Sequence, residues 1–207
     1  MATETDKDVS SNGFAKILKE SWHTDLRLMA GNSNGFAAIS AHKLVLAARS
    51  EVFKKMLETE VTKASSDHET LIFSEMSHEE LETLVDFMYN DHGSVSSSKL
   101  KKHARSLYLA TQRYEIPHLR DLCRNELISS LSASNALDVL EFSQQVPLDK
   151  PLNDAILSYI ARNINTFLDS GEFKISVARN PNLAVEITKA FLNPIVIPFE
   201  YESDDDW

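Results

Sequence analysis

The chain has 207 residues, of which 43% are hydrophobic and 25% charged, and its formal net charge at pH 7 is −10. These values are ordinary for a soluble protein with one medium domain or two small ones, and five glycines and six prolines exclude a collagen-like or low-complexity chain. The excess of acidic residues disfavours nucleic acid and anionic membranes as partners.

The N-terminal sequence MATETDKDVSSNG carries acidic and hydroxyl side chains where a secretory signal would be basic and then apolar. No stretch approaches the roughly eighteen consecutive apolar residues of a membrane-spanning helix. We therefore expect a cytoplasmic or nuclear protein in which residues 1–11 form a flexible tail. Cys123 lies among leucines at helical spacing, which predicts a buried apolar side chain rather than a nucleophile.

Helical and extended patterns alternate in the first part of the chain. The stretch FAKILKESW places its apolar residues on one face of a short helix that starts near Asn12. The segments DLRLMAG and FAAIS alternate around the turn signal GNSNG, which predicts a β-hairpin. Two short helices that meet at Arg49-Ser50-Glu51 follow, and ETLIFSEM is the third predicted strand.

From Ser77 onwards the patterns are helical. Ser77 and Glu80 form a capping box ahead of an amphipathic helix that ends near Tyr89. After the loop NDHGSVSSS come two further helices, the second starting at Ile116-Pro117, and by Leu131 one domain is complete.

Beyond Leu131 only helical patterns remain as far as residue 195, and such helices bury their apolar faces by packing as hairpins. Residues 196–207 form an acidic C-terminal tail. The predicted class is therefore an α+β domain followed by an all-α extension.

The order of these elements resembles that of the BTB/POZ family. Four stretches carry the resemblance, in chain order: DLRLMA, AHKLVLAARSEVFKKML, LVDFMYN and ATQRYEIPHLRDLCRNEL. The resemblance covers residues 12–131 and implies a small three-stranded sheet flanked by helices. Residues 132–195, with SASNALDVLEFSQQV and LNDAILSYIARNINTFL, resemble the opening helices of the BACK-type extension found after many BTB domains.

Two charged residues stand in segments that otherwise look buried. Because each charge alone would be costly to bury, pairing Asp25 with Arg49 is the lower-energy arrangement, and two independent surface charges are the alternative. In the BTB/POZ family, residues of these types at these places line a pocket at the dimer interface. The resemblance therefore implies a homodimer, with an interface formed by Phe14, Ile17, Leu18, Trp22, Asp25, His42 and Arg49.

A catalytic interpretation of His42, Arg49 and Ser50 has little support. They are close in sequence, but no orienting acid, Gly-x-Ser-x-Gly elbow or second histidine accompanies them, which disfavours a small hydrolase. The seven histidines are scattered without the spacing of metal ligands, and the phosphate-binding pattern Gly-x-x-x-x-Gly-Lys is missing. We expect no catalytic activity, no cofactor and no metal.

Two charged surfaces remain. The basic run KLKKHAR, from Lys99 to Arg105, is interpreted as a solvated helix face, with a contact for an acidic partner or nucleic acid as the alternative. The outer face of the amphipathic helix and the loop after it resemble the surface that receives cullin-3 in BTB/POZ proteins, although the apolar-x-Glu triplet of many cullin-binding relatives is missing. An ordinary solvated helix face is the alternative. The resemblance implies cullin contacts at Glu82, Asp86, Tyr89, Asn90 and His118. Because other apolar residues already supply the core face of this helix, we expect Tyr89 to lie at the edge of the domain.

The resulting hypothesis is a non-enzymatic, homodimeric adaptor that brings an unknown substrate protein to a cullin-3 ubiquitin ligase. The alternative is a BTB homotypic scaffold or transcriptional cofactor that does not bind a cullin. Since no Kelch or MATH recognition domain is evident, we expect the C-terminal helices, the acidic tail or a heterodimeric partner to recruit the substrate.

Overall fold

The computed structural model describes residues 13–31, 37–60, 69–90, 92–146 and 149–192, so the tails predicted at 1–11 and 196–207 lie outside the described residues. The chain divides into two compact units, Met1–Glu126 and Leu127–Trp207. This division falls within a helix, a few residues before the domain end predicted at Leu131.

The first unit contains a three-stranded sheet in the order β2-β1-β3. The central strand β1 (Leu26–Ala30) pairs antiparallel with β2 (Ile39–Ala41) and parallel with β3 (Glu69–Phe73). Every second residue of β1 and β3 is buried, which is the period expected when one face of a sheet covers a core. The antiparallel pairing predicted for the hairpin and the predicted third strand are confirmed, whereas residues 32–36 of the predicted turn lie outside the described residues.

Helices make up most of the first unit. Helix α4 (His78–Tyr89) has one largely buried side and begins with the predicted capping box. Glu80 N–H donates to Ser77 Oγ, and Ser77 N–H donates to Glu80 Oε2. The helices described here are α1 (Gly13–Lys19), α2 (Lys43–Arg49), α3 (Glu51–Glu60), α4 (His78–Tyr89), α5 (Ser97–Arg113) and α6 (Pro117–Ser129).

Three aromatic rings form the centre of this core. Phe53 of α3 stacks on Tyr114 with ring centroids 4.7 Å apart, and Phe73 of β3 lies 5.5 Å from the same ring. Offset and tilted ring pairs of this kind contribute about 0.5–1.5 kcal/mol beyond the burial of their area. The cluster joins α3, β3 and the end of α5.

The described residues of the second unit form helices and no strand, as the sequence predicts for the extension. α8 has one face of apolar residues that are almost fully buried, and its N-terminus is capped by Asp149, whose carboxylate accepts from Leu152 N–H. The helices are α7 (Ala136–Gln145), α8 (Lys150–Arg162), α9 (Ile164–Leu168), α10 (Gly171–Arg179) and α11 (Asn182–Leu192).

Gly31 allows β1 to end directly against the residue that follows β3. Its N–H donates to the Phe73 carbonyl at 2.7 Å, and a Cβ at this position would lie 2.4 Å from Ser74 Cα. We expect Gly31→Ala to lower the free energy of unfolding by about 3 kcal/mol, because backbone must move to admit the methyl group. Urea unfolding followed by circular dichroism measures this loss. Gly13→Ala is the control, since a Cβ there meets nothing within 4 Å, and equal stability of the two variants would contradict the close approach.

Candidate interaction surfaces

Tyr89, the last residue of α4, is fully buried. Its hydroxyl accepts a hydrogen bond from the backbone N–H of His42 at 2.6 Å and lies 2.8 Å from His42 Nδ1. Burial raises the pKa of Tyr89 to about 12, so the hydroxyl keeps its hydrogen at neutral pH. The prediction that Tyr89 lies at the domain edge is wrong, because this position faces the core, and the ring offers no surface to a cullin.

The segment after α1 is a tight, strained turn. Trp22 N–H donates to the Ile17 carbonyl and Ser21 N–H to the Leu18 carbonyl, which together form the Schellman pattern that closes helices. Ser21 has a φ of 48° where this motif usually has glycine, and His23 has a φ of 53°. Trp22 lies between these two left-handed residues, and its carbonyl is 2.7 Å from His42 Nε2. No glycine in the sequence signalled this turn.

Asp25 and Arg49 do not pair within the chain, which corrects the predicted ion pair. Asp25 Oδ1 accepts from the N–H of Lys43, the first residue of α2, at 2.8 Å. The Arg49 guanidinium donates to the carbonyls of Met88 and Asn90 at the end of α4. Both side chains are exposed, so each finds a nearby backbone partner at a helix end and neither needs the other. Their place in a dimer interface stays a prediction.

An ion pair between a buried glutamate and a half-buried lysine lies at a different place in the fold. Glu69 opens β3 with only 7% of its side chain exposed, and its Oε2 lies 2.6 Å from Lys43 Nζ. A buried charge needs a partner, and in this fold the charge that needs one is Glu69, whose partner is Lys43. The sequence ETLIF could have indicated that Glu69 is buried. Along this strand Glu69, Leu71 and Phe73 are alternate residues and lie on the same buried face of the sheet.

The residues of the catalytic alternative serve other roles. Ser50 is buried; its Oγ donates to the Tyr114 carbonyl at 2.6 Å and accepts from Phe53 N–H at 3.1 Å, which caps the start of α3. His42 bonds to Tyr89 and to the Trp22 carbonyl. Ser50 and His42 are thus engaged by backbone and core groups, and within the described residues no hydrogen bond joins them as a nucleophile and its base.

The apolar side of α1 has no buried residue. Phe14 is 48% exposed and Trp22, just after the helix, is 60% exposed, while Ile17 and Leu18 are half-buried. Large aromatic side chains left this open are typical of a contact surface. Their assignment to a dimer interface stays a prediction that this exposure makes testable.

The basic run at the start of α5 faces the acidic side of α4. Lys99 Nζ lies 2.6 Å from Asp86 and 3.9 Å from Glu82, and Lys102 pairs with Glu79. The hydrogen bond that Lys99 donates to the Asp86 carboxylate raises the pKa of Lys99. The basic face is therefore partly neutralised by α4, and the two carboxylates predicted to meet cullin-3 are exposed but already share one cation.

The loop after α4 is ordered by Asn90, whose Oδ1 accepts from His92 N–H at 2.9 Å. Gly93 has a φ of 60°, and a Cβ there would come within 2.7 Å of the His118 ring. His118, near the start of α6, is exposed and packs with Phe87 at a centroid distance of 6.0 Å. Asn90 and His118 thus both lie beside this loop, which is what the prediction that one partner contacts both residues requires.

A groove of about 690 Å³ connects the two predicted surfaces. Its lining comes from α1, β2, α4, the loop before α5 and the start of α5, and it includes the charges shared by α4 and α5. It brings together five predicted site residues, which are Leu18, Glu82, Asp86, Asn90 and the buried Tyr89. Phe14, Ile17, Trp22, Asp25, His42, Arg49 and His118 do not line it.

Cys123 is buried, as predicted, and burial raises the pKa of its thiol to about 12. In the part of the chain that the structure describes, no group of three or more His, Cys, Asp or Glu side chains is placed to hold a metal ion. No helix in the same ranges has both the length and the apolar character needed to cross a membrane.

The chain is similar to proteins of one family. A family model of the BTB/POZ domain matches residues 9–131. The putative BTB/POZ domain-containing protein At2g40450 of Arabidopsis thaliana is 58% identical over 191 residues, which cover 92% of this chain and 91% of that protein. The BTB/POZ domain-containing protein At5g48510 of the same plant is 58% identical over 193 residues, covering 93% of this chain and 85% of the relative.

Among solved structures, the BTB domain of zebrafish PATZ1 is similar with a TM-score of 0.46 and 17% identity, over 63% of this chain and 98% of that one. The match to the domain model and the identity to both plant proteins extend over most of the sequence. The BTB/POZ domain is a protein-interaction fold, which accords with a surface built around exposed aromatic side chains. The chain belongs to the BTB/POZ domain family.

Proposed function

We propose that the chain is a homodimeric, non-enzymatic adaptor of the cytoplasm or nucleus that binds cullin-3 and brings a substrate protein to a ubiquitin ligase. The observation that supports it best is the partly exposed apolar side of α1, which adjoins the groove leading to the outer face of α4. An adaptor needs one surface for its own second copy and another for the ligase. The two sides of this groove supply candidates for both.

The second copy is the simplest cover for α1. Phe14 is 48% and Trp22 60% exposed, and a large aromatic ring buries about 150–250 Å² when it passes from full exposure to an enclosed site. Because about half of each ring is already covered, the four rings of a two-fold contact would bury about 400 Å². This is about a quarter of the roughly 1,600 Å² found in stable interfaces, and neighbouring side chains would supply the rest.

The double variant Phe14→Ser, Trp22→Ser is expected to convert a dimer into a monomer. Light scattering after size exclusion should give twice the chain mass for the wild type and the mass of one chain for the variant. The matched control is Ile175→Ser with Val185→Ser, since these side chains are 58% and 51% exposed on α10 and α11 of the second unit. A monomeric wild type at micromolar concentration, or a control that also dissociates, would count against the α1 interface.

Cullin binding is expected to depend on the carboxylates of α4. Removing charge with Glu82→Gln and Asp86→Asn should weaken binding to the N-terminal domain of cullin-3 at least tenfold in titration calorimetry, while the melting temperature stays near that of the wild type. These substitutions are nearly isosteric and leave Lys99 without its partners. Glu51→Gln on the exposed side of α3 is the control.

A wild type that forms dimers but shows no cullin binding would favour the second candidate, a homotypic scaffold or transcriptional cofactor. The ion pairs of Lys99 favour this candidate, because a partner would have to compete with Lys99 for Glu82 and Asp86. Unchanged binding by the carboxylate variants would place the cullin contact elsewhere.

A further inference from the structure

The buried hydroxyl of Tyr89 determines where the His42 ring carries its hydrogen. Tyr89 Oη already accepts from the His42 backbone N–H, so its own single hydrogen needs an acceptor. Among the described residues, His42 Nδ1 at 2.8 Å is the group placed to accept it. Because an unpaired hydroxyl is costly in a buried site, Nδ1 is the bare nitrogen of the ring.

The neutral ring then has its hydrogen on Nε2, which lies 2.7 Å from the Trp22 carbonyl and donates to it. The opposite tautomer would set the Nε2 lone pair against the carbonyl oxygen and leave the hydrogen of Tyr89 unpaired. One tautomer therefore satisfies all three contacts, and it joins the buried end of α4 to the turn after α1.

That turn is held under backbone strain. Ser21 and His23, on either side of Trp22, both adopt left-handed φ angles that L-residues rarely occupy. On one side the Trp22 N–H is held by the Ile17 carbonyl, and on the other its carbonyl is held by His42. Strained backbone of this kind persists when the surrounding contacts fix it, and it often marks a functional position.

We propose that His42 is a positioning residue that sets the direction in which Trp22 is presented to the second copy of the chain. Its Nε2–H tautomer ties the Ser21–His23 turn to the core, so that the Trp22 backbone is fixed while the indole stays 60% exposed. The proposal rests on the dimer proposed for α1. It goes further because the specificity of that contact would come from Tyr89 and His42, through hydrogen bonds behind the interface.

Two substitutions separate the two hydrogen bonds of the ring. In His42→Asn the amide oxygen takes the place of Nδ1 and accepts from Tyr89, but the side chain is too short to reach Trp22. In His42→Gln the amide nitrogen takes the place of Nε2 and donates to the Trp22 carbonyl, while Tyr89 loses its acceptor. We expect His42→Asn to keep its melting temperature and to raise the dimer dissociation constant at least tenfold, and His42→Gln to melt earlier and to dimerise like the wild type.

A purely structural role predicts the opposite order, in which the less stable variant is also the weaker dimer, and that result would overturn the proposal. Backbone ¹⁵N order parameters of Ser21–His23 in the full chain give a readout that needs no dimer. They should be about 0.85 in the wild type and His42→Gln and below about 0.6 in His42→Asn. If the wild type is monomeric, the α1 interface fails while these values still decide the role of His42; equal values in all three proteins refute it.

Discussion

Tyr89→Ala is expected to lower the free energy of unfolding by about 3–5 kcal/mol, as for other large aromatic side chains removed from a core. The ring is fully buried at the end of α4, so its removal leaves a cavity that the surrounding side chains fill only in part. The substitution also leaves the backbone N–H of His42 without its acceptor. Urea unfolding followed by circular dichroism measures the loss.

Tyr89→Phe is the control that separates the ring from its hydroxyl. It keeps the packing and removes the bonds to His42, for which about 1–3 kcal/mol is expected. Leu109→Ala, at a side chain that is 47% exposed, should cost much less than either. A loss below about 1 kcal/mol in Tyr89→Ala would place the ring at the surface and restore the edge position that the sequence suggested.

Alkaline solution is expected to remove about 4 kcal/mol of stability between pH 9 and pH 11 through Cys123 and Tyr89 together, and a further amount through Tyr114. Burial raises the pKa of Cys123 from 9.0 to about 12 and that of Tyr89 from 10.0 to about 12. The unfolded chain therefore releases these protons at a lower pH than the folded chain. Stability is fully present below pH 9 and falls by about 1.4 kcal/mol per pH unit for each group that ionises only when unfolded. Burial raises the pKa of Tyr114 as well, which acts in the same direction.

Urea midpoints measured from pH 7 to pH 11 test this dependence under reducing conditions. In Cys123→Ala the decline should begin near pH 10 instead of pH 9, because only the tyrosines then contribute. The small cavity left by this substitution lowers stability equally at every pH and does not alter the slope. A variant whose pH dependence coincides with that of the wild type would show that the thiol ionises freely in the folded protein.

The elements of this fold follow from local patterns in the sequence. The alternation in DLRLMA, the capping box at Ser77 and Glu80, and the apolar spacing of α4 each predict a strand, a helix start and a helix that the structure contains. These signals are local, since each depends on residues within one or two turns of one another. The family resemblance supplied what local patterns do not, which is the arrangement of the strands in one sheet.

Side-chain partners were harder to predict because they join distant segments. Lys43 and Glu69 meet only when β3 lies beside β1, whereas the sequence offered Asp25 and Arg49 as the more conspicuous charges. Tyr89 ends its helix, and whether such a residue faces the core depends on the direction of that last turn. Its partner His42 is far away in the chain, so no spacing rule could connect the two.

The parallel pairing of β1 with β3 also bears on how the chain folds. β1 can form its hairpin with β2 as soon as both are synthesised, but a two-stranded hairpin alone is only marginally stable. Its other edge stays open until Glu69–Phe73 pairs with it, and contacts between segments so far apart in the chain form slowly. During that interval the apolar central strand offers unpaired backbone groups to neighbouring chains. Expression at high temperature is therefore expected to lose protein to aggregation through β1, and early protection of this edge by a chaperone would raise the yield.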